Sequence, residues 1–497
     1  MLPLIAIGDS LTQGFQSGAI CRCQWSYPAM VARALGAFPD RFRVADFSGE
    51  GGLPLNLELL TRRLARYGPR IRWWSWFPAL LAANTFIGAV EDYWERGAGG
   101  APSDTGPLHH NLASWGFEVQ DALLIDGDES LVRMQWQQDH WFDQIPESAF
   151  YRSARRTLNP SQQPALDTLG QIDIAQRLSD AAGGVETLIF GLGANNALGT
   201  ALRLDLTWSE TEGFDRLPPD RAATLWRPEH FRTLYRKVAE EVTKIPARFV
   251  AVTNVPKVTI PPVTRGVNVS RRDRDEQGYF EYYTRFWIWD DDFRRNPASF
   301  TYLTRDEIAE IDATVVNYNE TIAAVVDEMN AREDVSARWV LVDVASQLDR
   351  LAFRRRGGDT TYQWPPELIA ALREHPKLEY LAKKHDEGRP PIDTRFLMAT
   401  KKGEILQGGL IGLDGIHPST LGYGLMAHEV VTSLNVARSE AGLRPISLAQ
   451  DWWTDILNAD TLLTNPPRNL NYLRNLLGFL AGRRILTSLI PGLAGGL

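Results

Sequence analysis

The feature that most restricts what this chain can become lies at its start. Leu2 to Ile7 is a short apolar run that reads as a buried strand, and it ends in Gly8-Asp9-Ser10-Leu11, with Gly14 close behind. Ligands and chemistry collect at the carboxyl ends of the strands of an α/β sheet. A serine at that mouth stands where such an enzyme places a nucleophile. A serine hydroxyl is a poor nucleophile alone and requires a base and donors for the developing oxyanion. The rest of the chain is therefore searched for those partners.

Val185 to Phe190, Arg248 to Val252 and Trp339 to Val344 also read as strands, and Val44 to Ser48 as a further, shorter one. Helical patterns cover 24–36, with Pro28 in the first turn, then 119–125, 228–242, a long helix capped by Thr304 and Glu307, and a helix starting near Ser419. Residues 53–105, 257–300 and 354–395 read as inserts. Within the first, Ile71 to Val90 is apolar enough to raise a membrane span, but Pro78, Asn84 and Thr85 weaken it. A single crossing there would also separate Ser10 from everything downstream, so a buried or oligomer-facing helix is expected. Residues 98–106 read as an ordered loop or a lid hinge.

Three local patterns suggest ligands and fall short. Gly49, Gly51 and Gly52 lack the Lys-Ser/Thr ending of a phosphate loop and read as a turn. Asp126 to Ser130 resembles a calcium loop, but Gln137 stands where the twelfth-position acid belongs, and a solvated turn is expected. Gly191-Leu192-Gly193 follows a strand, but Asn196 occupies the place of the third glycine of a dinucleotide site.

Composition sets outer bounds. The net charge of −8, from 53 basic and 61 acidic residues, argues against a general nucleic-acid binder. The N-terminus shows no basic leader pattern, so a cytoplasmic location is expected. Cys21 and Cys23 flank Arg22 and give neither a disulfide framework nor zinc spacing. The 16 tryptophans, several in 73–77 and at Trp287 and Trp289, suit core packing, or an aromatic wall around an apolar acyl or sugar group.

Partners for Ser10 lie far downstream. In Gly412-Leu413-Asp414-Gly415-Ile416-His417-Pro418, Asp and His share one short turn. One ring nitrogen of His417 could take the serine proton while Asp414 holds the other nitrogen in the right tautomer. For the oxyanion, the candidate donors are the Ser10 N–H, the Gly116 N–H and the Asn195 amide. Gly51 or Gly52 are alternatives to Gly116.

Together these blocks resemble the GDSL, or SGNH, hydrolase family. Ser10 matches its Gly-Asp-Ser-Leu serine, Gly116 its second-block glycine behind Asn111-Leu112-Ala113, Asn195 its third-block asparagine, and Asp414 and His417 its final Asp-x-x-His. Asn196 replaces the aspartate of the third block, which touches local hydrogen bonding rather than catalysis. The resemblance implies a flavodoxin-like three-layer α/β/α sandwich over 1–445 with a mostly parallel sheet. The long spacing between blocks adds an insert near 200–230. It also implies a serine esterase or lipase-like enzyme working through an acyl-enzyme on Ser10, with no metal or cofactor, acting on a small-molecule ester, lipid-like or aryl. A carbohydrate acetyl ester or an acyl transfer is the alternative, and a glycan- or lipid-binding scaffold the non-enzymatic one. Residues 446–497 read as a helical extension, with Leu-rich patterns over 451–463 and 470–489. It would pack on the core or a partner subunit, or lie on a membrane surface. The oligomeric state is left open.

Overall fold

The computed structural model describes residues 1–67, 76–102, 108–135, 148–216, 222–267, 274–358, 360–470 and 473. Four strands form one parallel sheet: β1 (Leu2–Gly8), β2 (Val185–Gly191), β3 (Ala247–Thr253) and β4 (Arg338–Val342), in that spatial order. Their side chains alternate between two apolar cores. Leu4, Ala6, Ile189, Phe249 and Ala251 face one. Ile5, Ile7, Leu188, Phe190, Val250 and Val252 face the other. A sheet buried on both faces calls for apolar residues at successive positions, which is why these runs were legible as strands.

Helices cover both faces. They are α1 (Ser10–Gln13), α2 (Tyr27–Ala34), α3 (Gln171–Ala181), α4 (Asn195–Arg203), α5 (Pro228–Thr243), α6 (Arg305–Ala331), α7 (Thr420–Glu440) and α8 (Gln450–Ala459). α2 and α7 share the first core, whereas α3, α5 and α6 share the second, giving a three-layer α/β/α arrangement. α6 begins where the sequence places it. The Thr304 side chain accepts from the Glu307 N–H, and Glu307 accepts from the Thr304 N–H.

Two local expectations are corrected. Val44 to Ser48 is not a strand. The space beside β1 is taken instead by 110–114: Ala6 donates to His110 O at 2.9 Å, and Leu112 and Ser114 donate to Ala6 O and Gly8 O at 2.8 and 3.1 Å. Arg43 O receives the His110 and Asn111 N–H groups, so the polypeptide before Val44 braces this edge without joining the sheet. Asp126 to Ser130 is no solvated turn but the start of a helix, Gly127–Gln135. The Asp126 carboxylate accepts the Glu129 N–H at 2.8 Å, the capping role that a short acidic side chain fills at a helix start.

The inserts have structure of their own. The first contains the helix Trp76–Glu95, with Phe86, Val90 and Trp94 buried; Trp73, Trp74 and residues 103–107 lie outside the described residues. The segment 257–300 contributes two strands to a three-stranded antiparallel sheet completed by Leu303–Thr304. Beyond α7, α8 packs back on the first core through Trp452 and Trp453. Trp452 Nε1 donates to Met30 O at 3.1 Å, and Asp460 accepts the Leu421 N–H at 2.8 Å. The leucine-rich pattern beyond residue 473 lies outside the described residues. Among them, no helix is long and apolar enough to cross a membrane.

Candidate active site

Ser10 is the first residue of α1, directly after β1, and Asp9 caps that helix by accepting the Leu11 N–H at 3.0 Å. The turn is tight. A Cβ on Gly8 would lie 2.3 Å from Thr12 Oγ1 and 2.6 Å from Gly191 O, so only glycine fits between the strand and the helix. Burial pushes the Asp9 carboxyl up to about 7, against the opposing pull of the Leu11 N–H and His417.

The Asp414–His417 turn docks onto the chain just after Ser10. Leu413 N–H donates to Ser17 Oγ at 2.9 Å, and Gly18 N–H donates to Asp414 Oδ2 at 2.9 Å. Asp414 Oδ1 accepts the Ile416 and His417 N–H groups at 2.9 and 3.0 Å. Gly415, at φ +75°, leaves no room for a side chain: its Cβ would meet Phe286 at 2.9 Å. Burial opposes ionisation of Asp414, but His417 and these N–H groups outweigh it and hold its carboxyl below the usual range.

These contacts bring the three residues into one line. His417 Nε2 lies 3.0 Å from Ser10 Oγ, and His417 Nδ1 lies 3.0 Å from Asp414 Oδ2. Both distances suit hydrogen bonds. The Phe15 ring lies against the imidazole at 4.4 Å between centroids. All three residues are buried or nearly so.

The chain matches no family model and no curated sequence.

Gly116 and Asn195 border the same pocket as Ser10 and His417. Gly116 adopts φ +78°, a left-handed turn in the 115–120 loop that favours glycine. Gly51 and Gly52 are not among the residues lining that pocket. Asn195 opens α4 at the end of β2 and donates one amide hydrogen to Phe117 O at 2.7 Å; an amide carries a second. Asn196, the departure from the family pattern, holds the same loop: it accepts the Val119 N–H at 3.0 Å and donates to Gln120 Oε1 at 3.3 Å.

Several residues of the site carry no motif. Gln13, on α1, accepts the Trp115 N–H at 2.8 Å and fixes the residue before Gly116. Phe15, Ser17 and Gly18 seat the His417 turn. Their only signal in the sequence is proximity to Ser10.

Two apolar pockets meet at the triad. One is bordered by Leu55, Leu57, Trp115, Leu202 and Trp287. The other is bordered by Val258, Val344, Leu348, Leu351 and Met426. Ser10, Asn195, Leu198, Ile416 and His417 border both.

Proposed function

We propose that the protein is a serine ester hydrolase. The observation that carries this reading is the pair of 3.0 Å contacts linking Ser10, His417 and Asp414. His417 takes the Ser10 proton as Oγ attacks the ester carbonyl, and Asp414 stabilises the imidazolium. The Ser10 and Gly116 N–H groups and the Asn195 amide receive the oxyanion. His417 then protonates the departing alcohol, and water activated by the same imidazole cleaves the acyl-enzyme. Every step uses side-chain and backbone groups of this chain and a water molecule, and none calls for a metal or cofactor.

The apolar lining on either side of Ser10 supports an ester apolar in both its acyl and its alcohol part, rather than a carbohydrate acetyl ester. The same lining gives acyl transfer to an apolar alcohol a specific basis; product analysis with an added long-chain alcohol separates the two outcomes. A cytoplasmic setting is the accompanying proposal, tested by cell fractionation.

The deciding experiment is Ser10→Ala. Hydrolysis of p-nitrophenyl esters and labelling by a fluorophosphonate probe are expected in the wild type. The variant should lose the label and on the order of 10⁶-fold in kcat, the size of a nucleophile deletion in other serine triads. Retained turnover in the folded variant, or an unlabelled wild type, would overturn the reading and favour a binding scaffold.

A further inference from the structure

A second cavity lies between the 257–300 segment and residues 352–407; Ser10 does not border it, and Phe286 stands between it and one of the pockets at Ser10. It encloses about 410 Å³, the size of a small-molecule site. Phe280, Phe286, Phe396 and Met398 supply apolar walls, and five arginines line it. Four of those have a carboxylate each. Arg265 pairs with Asp290, Arg355 with Asp312, Arg294 with Asp291 at 3.6 Å, and Arg395 with Asp393 at 2.7 Å.

Arg354 is the exception. Its Nη1 donates to Gly266 O at 2.7 Å, and among the described residues no carboxylate forms an ion pair with it. Burial, then the neighbouring Arg265, pushes its guanidinium down to about 10; Asp290 and Asp393, already held by other arginines, offset only part of this. A guanidinium has five N–H donors, so most of its donors remain for a ligand. A cation withdrawn from water without a counter-ion is costly, and a bound anion would relieve it.

The charge balance limits what that anion is. Among the described residues one positive charge is left over, which a monoanion neutralises. A dianion such as a phosphate ester would bring excess negative charge up to Asp290 and Asp291. The aromatic walls call for an apolar body behind the charged group. We propose that this cavity binds a small organic carboxylate with an apolar, preferably aromatic, body, its charge seated on Arg354.

The test is calorimetric titration of the full chain with 4-phenylbutyrate, with 4-phenylbutanol and inorganic phosphate as comparisons. The carboxylate should bind at least about tenfold more tightly than the alcohol, as a charge-assisted contact implies, and phosphate should not compete with it. Arg354→Gln should weaken binding by about tenfold or more, and Arg354→Lys should retain most of it. Ser10→Ala should bind as the wild type does, which separates this cavity from the pockets at the triad whatever the reaction there. If Arg354→Gln fails to fold, Met398→Trp, which fills the cavity and leaves Arg354 in place, should remove binding. Equal binding of acid and alcohol, an unchanged affinity in the folded Arg354→Gln or Met398→Trp protein, or no binding at millimolar carboxylate would overturn the proposal.

Discussion

Asn195 divides one amide between architecture and chemistry. The hydrogen given to Phe117 O fixes the loop that carries Gly116; the other is the proposed oxyanion donor. Asn195→Ala should therefore lower kcat by about 10²- to 10³-fold with little change in KM, as loss of one oxyanion donor does elsewhere. A fall of only a few fold would leave Asn195 with its structural task alone. Asp414→Asn removes the acceptor that sets the His417 tautomer, and about 10⁴-fold in kcat should go with it. Steady-state kinetics on p-nitrophenyl acetate checks both. At this scale Ser10, Asp414 and His417, which the structure brings together, stood out in the sequence because each carries a chemical type that the proposed reaction requires. Gln13 did not stand out, because its partners, the Trp115 N–H and the Thr157 hydroxyl, lie more than a hundred residues away, and nothing in its local sequence says so.

The elements that could be read are those whose burial leaves a continuous apolar signature. β1 to β3 present residues to two cores at once, and the pattern follows. Val44 to Ser48 carries a similar short run, but 110–114 occupies the edge of β1, a competition between distant segments that no window of sequence registers. Asp126 misled in another way: a run of acidic residues suits a solvated turn as well as a helix start, and here the Glu129 N–H takes the carboxylate. Two element-scale outcomes follow from packing and capping. Thr304→Ala should cost about 1 kcal/mol of stability by loss of the α6 cap. Trp453→Ala, beneath α7 with 0% exposure, should cost about 3–5 kcal/mol. Urea unfolding followed by circular dichroism measures each.

For the molecule as a whole, two buried carboxyls set a pH dependence. Burial raises Asp9 from 3.8 to about 7 and Asp460 from 3.8 to about 6. Between the lower and upper values the folded chain holds protons that the unfolded chain releases, so stability falls as pH rises through this window. Asp414 acts in the opposite sense. Its depressed folded value contributes stability above pH 3.8 that is lost only as the solution becomes more acid than this. Asp9→Asn should flatten the decline between about pH 4 and 7 in urea unfolding run across that range. An unchanged slope would assign the proton elsewhere.

The link between Ser10 and His417 spans 407 positions of the chain. At a synthesis rate of about 5–20 residues per second, the serine is added to the chain roughly 20–80 s before the imidazole proposed to deprotonate it has even been made. In the proposed mechanism a nascent or truncated chain that lacks 412–418 thus holds an inert alcohol, and the Asp414–His417 turn is what arms it.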